Sequence, residues 1–162
     1  METIVVLAQT ESNGALGGSA REALGAAKSL HETLEGSALV VGLVGGDVAA
    51  AAEALGGYGA DRVLAVVGAE FSASRYATDA LAAETICREA GATLVLAPGT
   101  ARWARTLPGV AHRLGGRVDT HATDLSAVDG AVTVVRWYYR QRMEATFRRA
   151  QRPWVILIDP GC

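Results

Sequence analysis

Four short apolar runs, separated by segments of helix length, most constrain how this chain can fold. Each run contains five to seven residues with little polar alternation, which is typical of strands covered on both faces. The runs are Thr3–Ala8, Ala38–Val44, Asp61–Val67 and Thr93–Ala97. Because a helix after each strand returns the chain for a parallel neighbour, the pattern predicts an α/β fold, a three-layer sandwich around a mostly parallel sheet.

The segments between the runs carry apolar residues at three- and four-residue spacing, as helices with one buried face do. The predicted helices cover residues 20–34, 48–55, 74–90 and 101–114. Ser19 and Thr100 are expected to cap the first and last of these helices, since their hydroxyl groups can accept a backbone N–H. Gly91 is expected to end the third helix.

The pattern changes after Gly116, where the sequence favours antiparallel pairing. Asp129-Gly130 is a hairpin dipeptide, and a second turn is predicted near Arg140-Gln141. The predicted strands are Arg117–Ala127, Ala131–Tyr139, Glu144–Arg148 and Pro153–Ile158. We therefore predict a C-terminal β meander attached to the parallel sheet, within one domain that covers residues 1–162.

Charge is distributed unevenly, although the net charge is only −2. Residues 1–100 contain 12 acidic and 5 basic side chains, whereas residues 101–162 contain 5 acidic and 10 basic ones. Fourteen of the 15 cationic residues are arginine, whose planar guanidinium suits carboxylates and phosphates. The second part of the chain is therefore the expected contact surface for an acidic partner or ligand, although an arginine bias in the genome explains the same pattern equally well.

Six arginines lie within residues 136–152, interleaved with aromatic residues. If this segment is a strand, Trp137 and Tyr139 share one face and the even-numbered residues share the other. Arginine and aromatic residues are enriched at protein interfaces, so contact with a partner subunit is the first interpretation, a solvated face the second, and single-stranded nucleic acid is not expected. The predicted contact residues are Arg136, Tyr138, Arg140 and Arg142.

The turn after the fourth apolar run is a second candidate site. Ligands of open α/β sheets bind at the carboxyl ends of the strands, and a helix N-terminus there suits phosphate. The residues that would hold it are Gly99, Thr100, Arg102 and Arg105. An ordinary turn between strand and helix explains the same residues.

No conventional catalytic or metal-binding pattern stands out. His121 has Asp119 and Asp124 as neighbours, but an exposed loop residue is the expected interpretation. Cys87 and Cys162 match no metal or redox spacing. We therefore expect no catalytic residues and no metal, and an electron-carrier or binding role in place of an enzyme.

The N-terminus lacks the basic segment of a signal peptide, and no apolar run is long enough to span a bilayer. These features predict a cytoplasmic protein with no membrane insertion.

Three segments resemble the N-terminal domain of electron-transfer flavoprotein alpha subunits, and the likeness covers essentially the whole chain. They are Leu94–Thr100, Leu107–Leu114 and Val135–Tyr139. The family has a strand ending in Ala-Pro before a Thr-containing turn, a Pro-x-Val-Ala-x-x-Leu helix, an Arg-x-x-Tyr segment and a closing Pro-x-Val strand. Two features differ: the family usually follows its Arg-x-x-Tyr with Ala-Gly-Asn, where this chain has Tyr139-Arg140-Gln141, and Asp159 stands where the family tends to have a cation.

The resemblance implies a scaffold with an adenine-nucleotide alpha-hydrolase-like fold that pairs with a beta-type subunit. In such complexes FAD carries electrons from dehydrogenases towards a quinone reductase, and AMP is possible in the partner subunit. The family's second domain, expected after Cys162, holds the FAD, so the present chain alone is not expected to bind it. The alternatives are an adenine-nucleotide-binding module that uses the turn after strand four, and a stand-alone interaction protein that recruits an acidic partner.

Overall fold

An eight-stranded sheet forms the middle layer of the structure, a computed structural model that describes residues 1–162. Its strands are β1 (Thr3–Gln9), β2 (Ala38–Gly45), β3 (Arg62–Val67), β4 (Leu94–Pro98), β5 (Arg117–Val128), β6 (Ala131–Tyr138), β7 (Met143–Phe147) and β8 (Trp154–Ile158). The helices are α1 (Gly18–Thr33), α2 (Ala49–Ala54), α3 (Tyr76–Ala90) and α4 (Ala101–Arg113), with a 3-10 turn at Ala69–Ser72.

The strand order is β3-β2-β1-β4-β8-β5-β6-β7, and the pairs from β3 through to β5 are all parallel. Helix α1 packs on one face of the sheet and helices α3 and α4 pack on the other, each against its own buried apolar cluster. The predicted three-layer α/β sandwich is therefore confirmed, with β4 in the interior of the sheet as its apolar run predicts.

The last strand lies inside the sheet and not at the end of the meander. β8 pairs in parallel with β4 on one side and with β5 on the other, so only β5, β6 and β7 form the antiparallel meander. All five residues of Trp154–Ile158 are buried. A strand that is apolar on both faces is stabilised only where helices or other residues cover both of them, and an interior position supplies that cover.

The third apolar run is not covered on both faces, contrary to its sequence pattern. β3 is the edge strand, and Val63 and Val67 remain 43% and 54% exposed. The reason is that α2 has only six residues and does not extend over this strand.

The helix ends follow local rules in two of the three predicted places. Thr100 caps α4, where its hydroxyl group accepts the backbone N–H of Trp103 at 3.4 Å, and Gly91 ends α3 in the left-handed conformation with φ of 65°. The predicted cap at Ser19 is wrong, because α1 begins at Gly18 and Ser19 lies inside its first turn.

Candidate functional site

The four predicted contact residues lie together at the end of the β6–β7 hairpin. Arg136 is on β6 and is largely buried, with 17% of its side chain exposed. Tyr138 ends β6, and Arg140 and Arg142 lie in the exposed connection to β7, which we call the arginine turn (residues 138–142). Neither Arg140 nor Arg142 forms a salt bridge within the chain.

The backbone of the arginine turn is left-handed at three consecutive positions. Tyr139, Arg140 and Gln141 have φ values of 48°, 55° and 66°, a region that residues with a Cβ atom rarely adopt. The predicted sharing of a strand face by Tyr139 and Trp137 is therefore wrong, because β6 ends at Tyr138 and Tyr139 belongs to the turn.

This conformation makes the turn a source of strain that one substitution can relieve. Gln141→Gly is expected to raise the free energy of unfolding by about 1 kcal/mol, since glycine adopts positive φ without a steric cost. Arg142→Gly is the control, because Arg142 has no positive φ and glycine there is expected to be neutral or destabilising. Urea denaturation of both variants tests this, and an equal loss of stability in the two would contradict a left-handed turn.

A buried carboxylate fixes the hairpin to the rest of the sheet. Asp119 on β5 is 2% exposed and accepts hydrogen bonds from Arg136 Nη1 at 3.1 Å, Arg149 Nη2 at 2.9 Å and Trp154 Nε1 at 2.8 Å. Arg149 Nε also donates to the same carboxylate. These donors come from β6, from the segment after β7 and from β8, so one side chain joins three parts of the C-terminal region.

Burial by itself raises the pKa of Asp119, but the hydrogen bonds from Arg149, Trp154 and Arg136 outweigh burial and hold the pKa below its usual value. The same contact raises the pKa of Arg149. Both groups are therefore charged at neutral pH. Sequence reasoning missed this cluster. Its only signal in the sequence is an aspartate in a predicted strand of an arginine-rich region, which does not identify the partners of that aspartate.

A cavity of about 390 Å³ lies beside the arginine turn. It is lined by His121 and by residues 136–141. His121 is exposed, as predicted, but it lies in β5 at an irregularity of the strand pairing and not in a loop. Its Nδ1 atom is 3.2 Å from Asp159 Oδ2, whereas Asp119 faces the arginine cluster.

The second candidate site, the turn after β4, is arranged differently from the prediction. Arg102 is buried against α3, where its Nε donates to Asp79 Oδ2 at 2.8 Å, and Arg105 donates to Ser74. Gly99 and Thr100 line a cavity of about 60 Å³ that the two arginines do not reach. The four residues are thus not brought together around one space, and phosphate binding there stays a prediction.

The longest helix, α1, has 16 residues, and none of the helices combines the length and the apolar character that crossing a bilayer requires. No group of three or more His, Cys, Asp or Glu side chains is arranged to hold a metal ion.

Comparison with known proteins agrees with the fold and with the motifs of the sequence. A search of curated proteins finds no significant match. A comparison with protein families matches residues 4–162 to the electron transfer flavoprotein domain, which is essentially the whole chain. On the strength of that coverage, the chain belongs to the electron transfer flavoprotein domain family.

Proposed function

We propose that this chain is an alpha-type domain that acts as a scaffold in FAD-mediated electron transfer from dehydrogenases and pairs with a beta-type subunit through the arginine turn. Within the complex it is part of an electron carrier and not an enzyme. The observation that carries the proposal is the exposed pair Arg140 and Arg142, which have no ionic partner in the chain and lie beside exposed tyrosines.

The energetics of interfaces support this assignment. Tyr139 is 74% exposed and Tyr138 is 36% exposed, and tyrosine and arginine are the residues that most often dominate binding energy at interfaces. The cluster around Asp119 holds the hairpin in place before a partner binds, which reduces the entropy lost on association.

The dimensions of the cavities support a flavin held mainly outside this chain. Five cavities have volumes between about 60 and 390 Å³, and no residue lines more than one of them. Drug-sized ligands occupy pockets of about 300–1,000 Å³, and FAD is larger than most drug-sized ligands. We therefore propose that FAD belongs to the assembled complex and that AMP, where it binds, lies in the partner subunit.

The test is association with a purified electron-transfer flavoprotein beta-type subunit, measured by analytical ultracentrifugation. The double variant Arg140→Glu/Arg142→Glu is expected to weaken the complex at least about tenfold, since it reverses the charge of the contact surface. Arg21→Glu/Arg75→Glu is the matched control, because these exposed arginines also lack ionic partners and the change in net charge is identical. The proposal fails if the unmodified chain does not associate, or if both double variants weaken the complex equally.

A further inference from the structure

The cavity beside the arginine turn has the composition of an anion site. Arg136, Arg140, His121 and Gln141 are among the residues that line it. No Asp or Glu side chain is among the lining residues. Arg136 shares the Asp119 carboxylate with Arg149, and His121 contacts Asp159. Because two guanidinium groups share one carboxylate and Arg140 has no ionic partner, positive charge remains in excess beside the cavity and attracts a negatively charged group.

Arg136 retains a donor that the chain does not use. Its Nη1 donates to Asp119 at 3.1 Å, but its Nε is buried and has no hydrogen-bond partner. An unsatisfied buried donor costs about 1–3 kcal/mol, so an acceptor that reaches Nε is favoured. The centroid of the Tyr138 ring lies 4.3 Å from Cζ of the Arg136 guanidinium group, at the same cavity.

Backbone strain is concentrated at the same cavity. Five non-glycine residues of the chain have positive φ, and four of them line this space, namely His121, Tyr139, Arg140 and Gln141. Such conformations persist where the surrounding structure enforces them, and they cluster at binding sites. Here the strained backbone places Arg140 and Tyr139 at the cavity.

We propose that this cavity binds a carboxylate group carried next to a planar ring. Arg140 and Arg136 donate to the carboxylate, and the aromatic side chains of Trp137 and Tyr139 flank the ring. The proposal rests on the proposed function only for the source of the carboxylate, which is either an acidic side chain of a partner or a free aromatic acid. The cavity of about 390 Å³ has room for a single ring with its acidic group.

The experiment is a titration of the 162-residue chain with sodium benzoate, followed by the backbone amide signals of residues 136–142 in NMR spectra. Benzamide has nearly the same size and shape as benzoate but no charge, and it is expected to bind at least about tenfold more weakly. Arg140→Glu is expected to abolish the benzoate shifts and Arg140→Lys to retain them, whereas Arg21→Glu leaves them unchanged. Equal binding of benzoate and benzamide, unchanged binding in Arg140→Glu, or the absence of any shift overturns the proposal.

A second titration with an acetylated Glu-Phe-Glu peptide amide distinguishes the two sources. Tighter binding of the peptide than of benzoate supports an acidic partner segment, and weaker binding supports a free aromatic acid. Because no partner subunit is present, failure with benzoate removes the carboxylate site and leaves subunit pairing intact. If association with the beta-type subunit fails while benzoate still binds, the carboxylate site is retained.

Discussion

Asp119→Ala is expected to lower the free energy of unfolding by about 3–5 kcal/mol, because a buried acceptor shared by three side chains is removed. Arg136, Arg149 and the indole of Trp154 lose their common partner, and Arg136 and Trp154 are too buried for water to replace it fully. Arg149 is 36% exposed, so solvent compensates part of its loss and favours the lower end of this range. Urea denaturation at neutral pH measures the effect.

Asp124→Ala is the control on the same strand, since Asp124 is exposed and makes no ion pair. Its expected effect is below about 0.5 kcal/mol. If the two variants lose the same stability, the cluster around Asp119 does not hold the C-terminal region.

The stabilisation that Asp119 provides is expected to depend on pH. Burial raises the pKa of Asp119, but its hydrogen bonds lower the pKa further, so the folded value is below the unfolded value of about 4. The stabilisation is therefore present above pH 4 or so and is lost as the pH falls through the folded pKa. The difference in stability between the unmodified chain and Asp119→Asn is expected to narrow below about pH 4. A difference that does not change with pH would rule out the charged carboxylate as its cause.

Arg102→Ala is expected to cost about 3–5 kcal/mol, because it leaves the Asp79 carboxylate buried without its cation. Asp79 is 0% exposed, and Arg102 joins it and the carbonyl of Phe71 through bonds of 2.8 Å and 3.0 Å. Asp79 also accepts the backbone N–H of Arg75 at the start of α3. The pair thus fixes α4 to α3 on one face of the sheet.

The double variant Asp79→Leu/Arg102→Met provides the decisive comparison. Replacing both charges with apolar groups of similar volume removes the unpaired carboxylate, so at least half of the lost stability is expected to return. Arg105→Ala controls for the loss of an arginine from α4, and its side chain is on the exposed face. A double variant no more stable than Arg102→Ala, measured by thermal and urea unfolding, would show that desolvation of Asp79 is not the main cost.

The Asp79–Arg102 and Asp119–Arg136 ion pairs show why charge counts alone do not predict which arginines are free to bind a ligand or partner. Arg102 belongs to a helix N-terminus, which suggests phosphate binding, and Arg136 lies among aromatic residues, which suggests an interface. The structure gives each of them an internal carboxylate, whereas Arg140 and Arg142 have none. The arginines of residues 136–152 therefore form two groups, those paired with a carboxylate of the chain and those, including Arg140 and Arg142, that are not.

The local features of this protein follow from its sequence. Continuous apolar runs such as Leu94–Ala97 determine covered strands, the hydroxyl group of Thr100 determines where α4 begins, and Gly91 determines where α3 ends. These rules act over a few residues, where side-chain spacing and backbone preference decide the outcome.

Only the tertiary structure decided where β8 is inserted, which carboxylate neutralises which arginine and how far β3 is covered. A sequence pattern indicates the strand face on which Asp119 lies but not which strand pairs beside it. Trp154, which donates a hydrogen bond to Asp119, is 35 residues further along the chain. Strand order and buried charge pairing depend on the packing of all layers at once, because the free energy of burying a charge is set by neighbours that are distant in sequence.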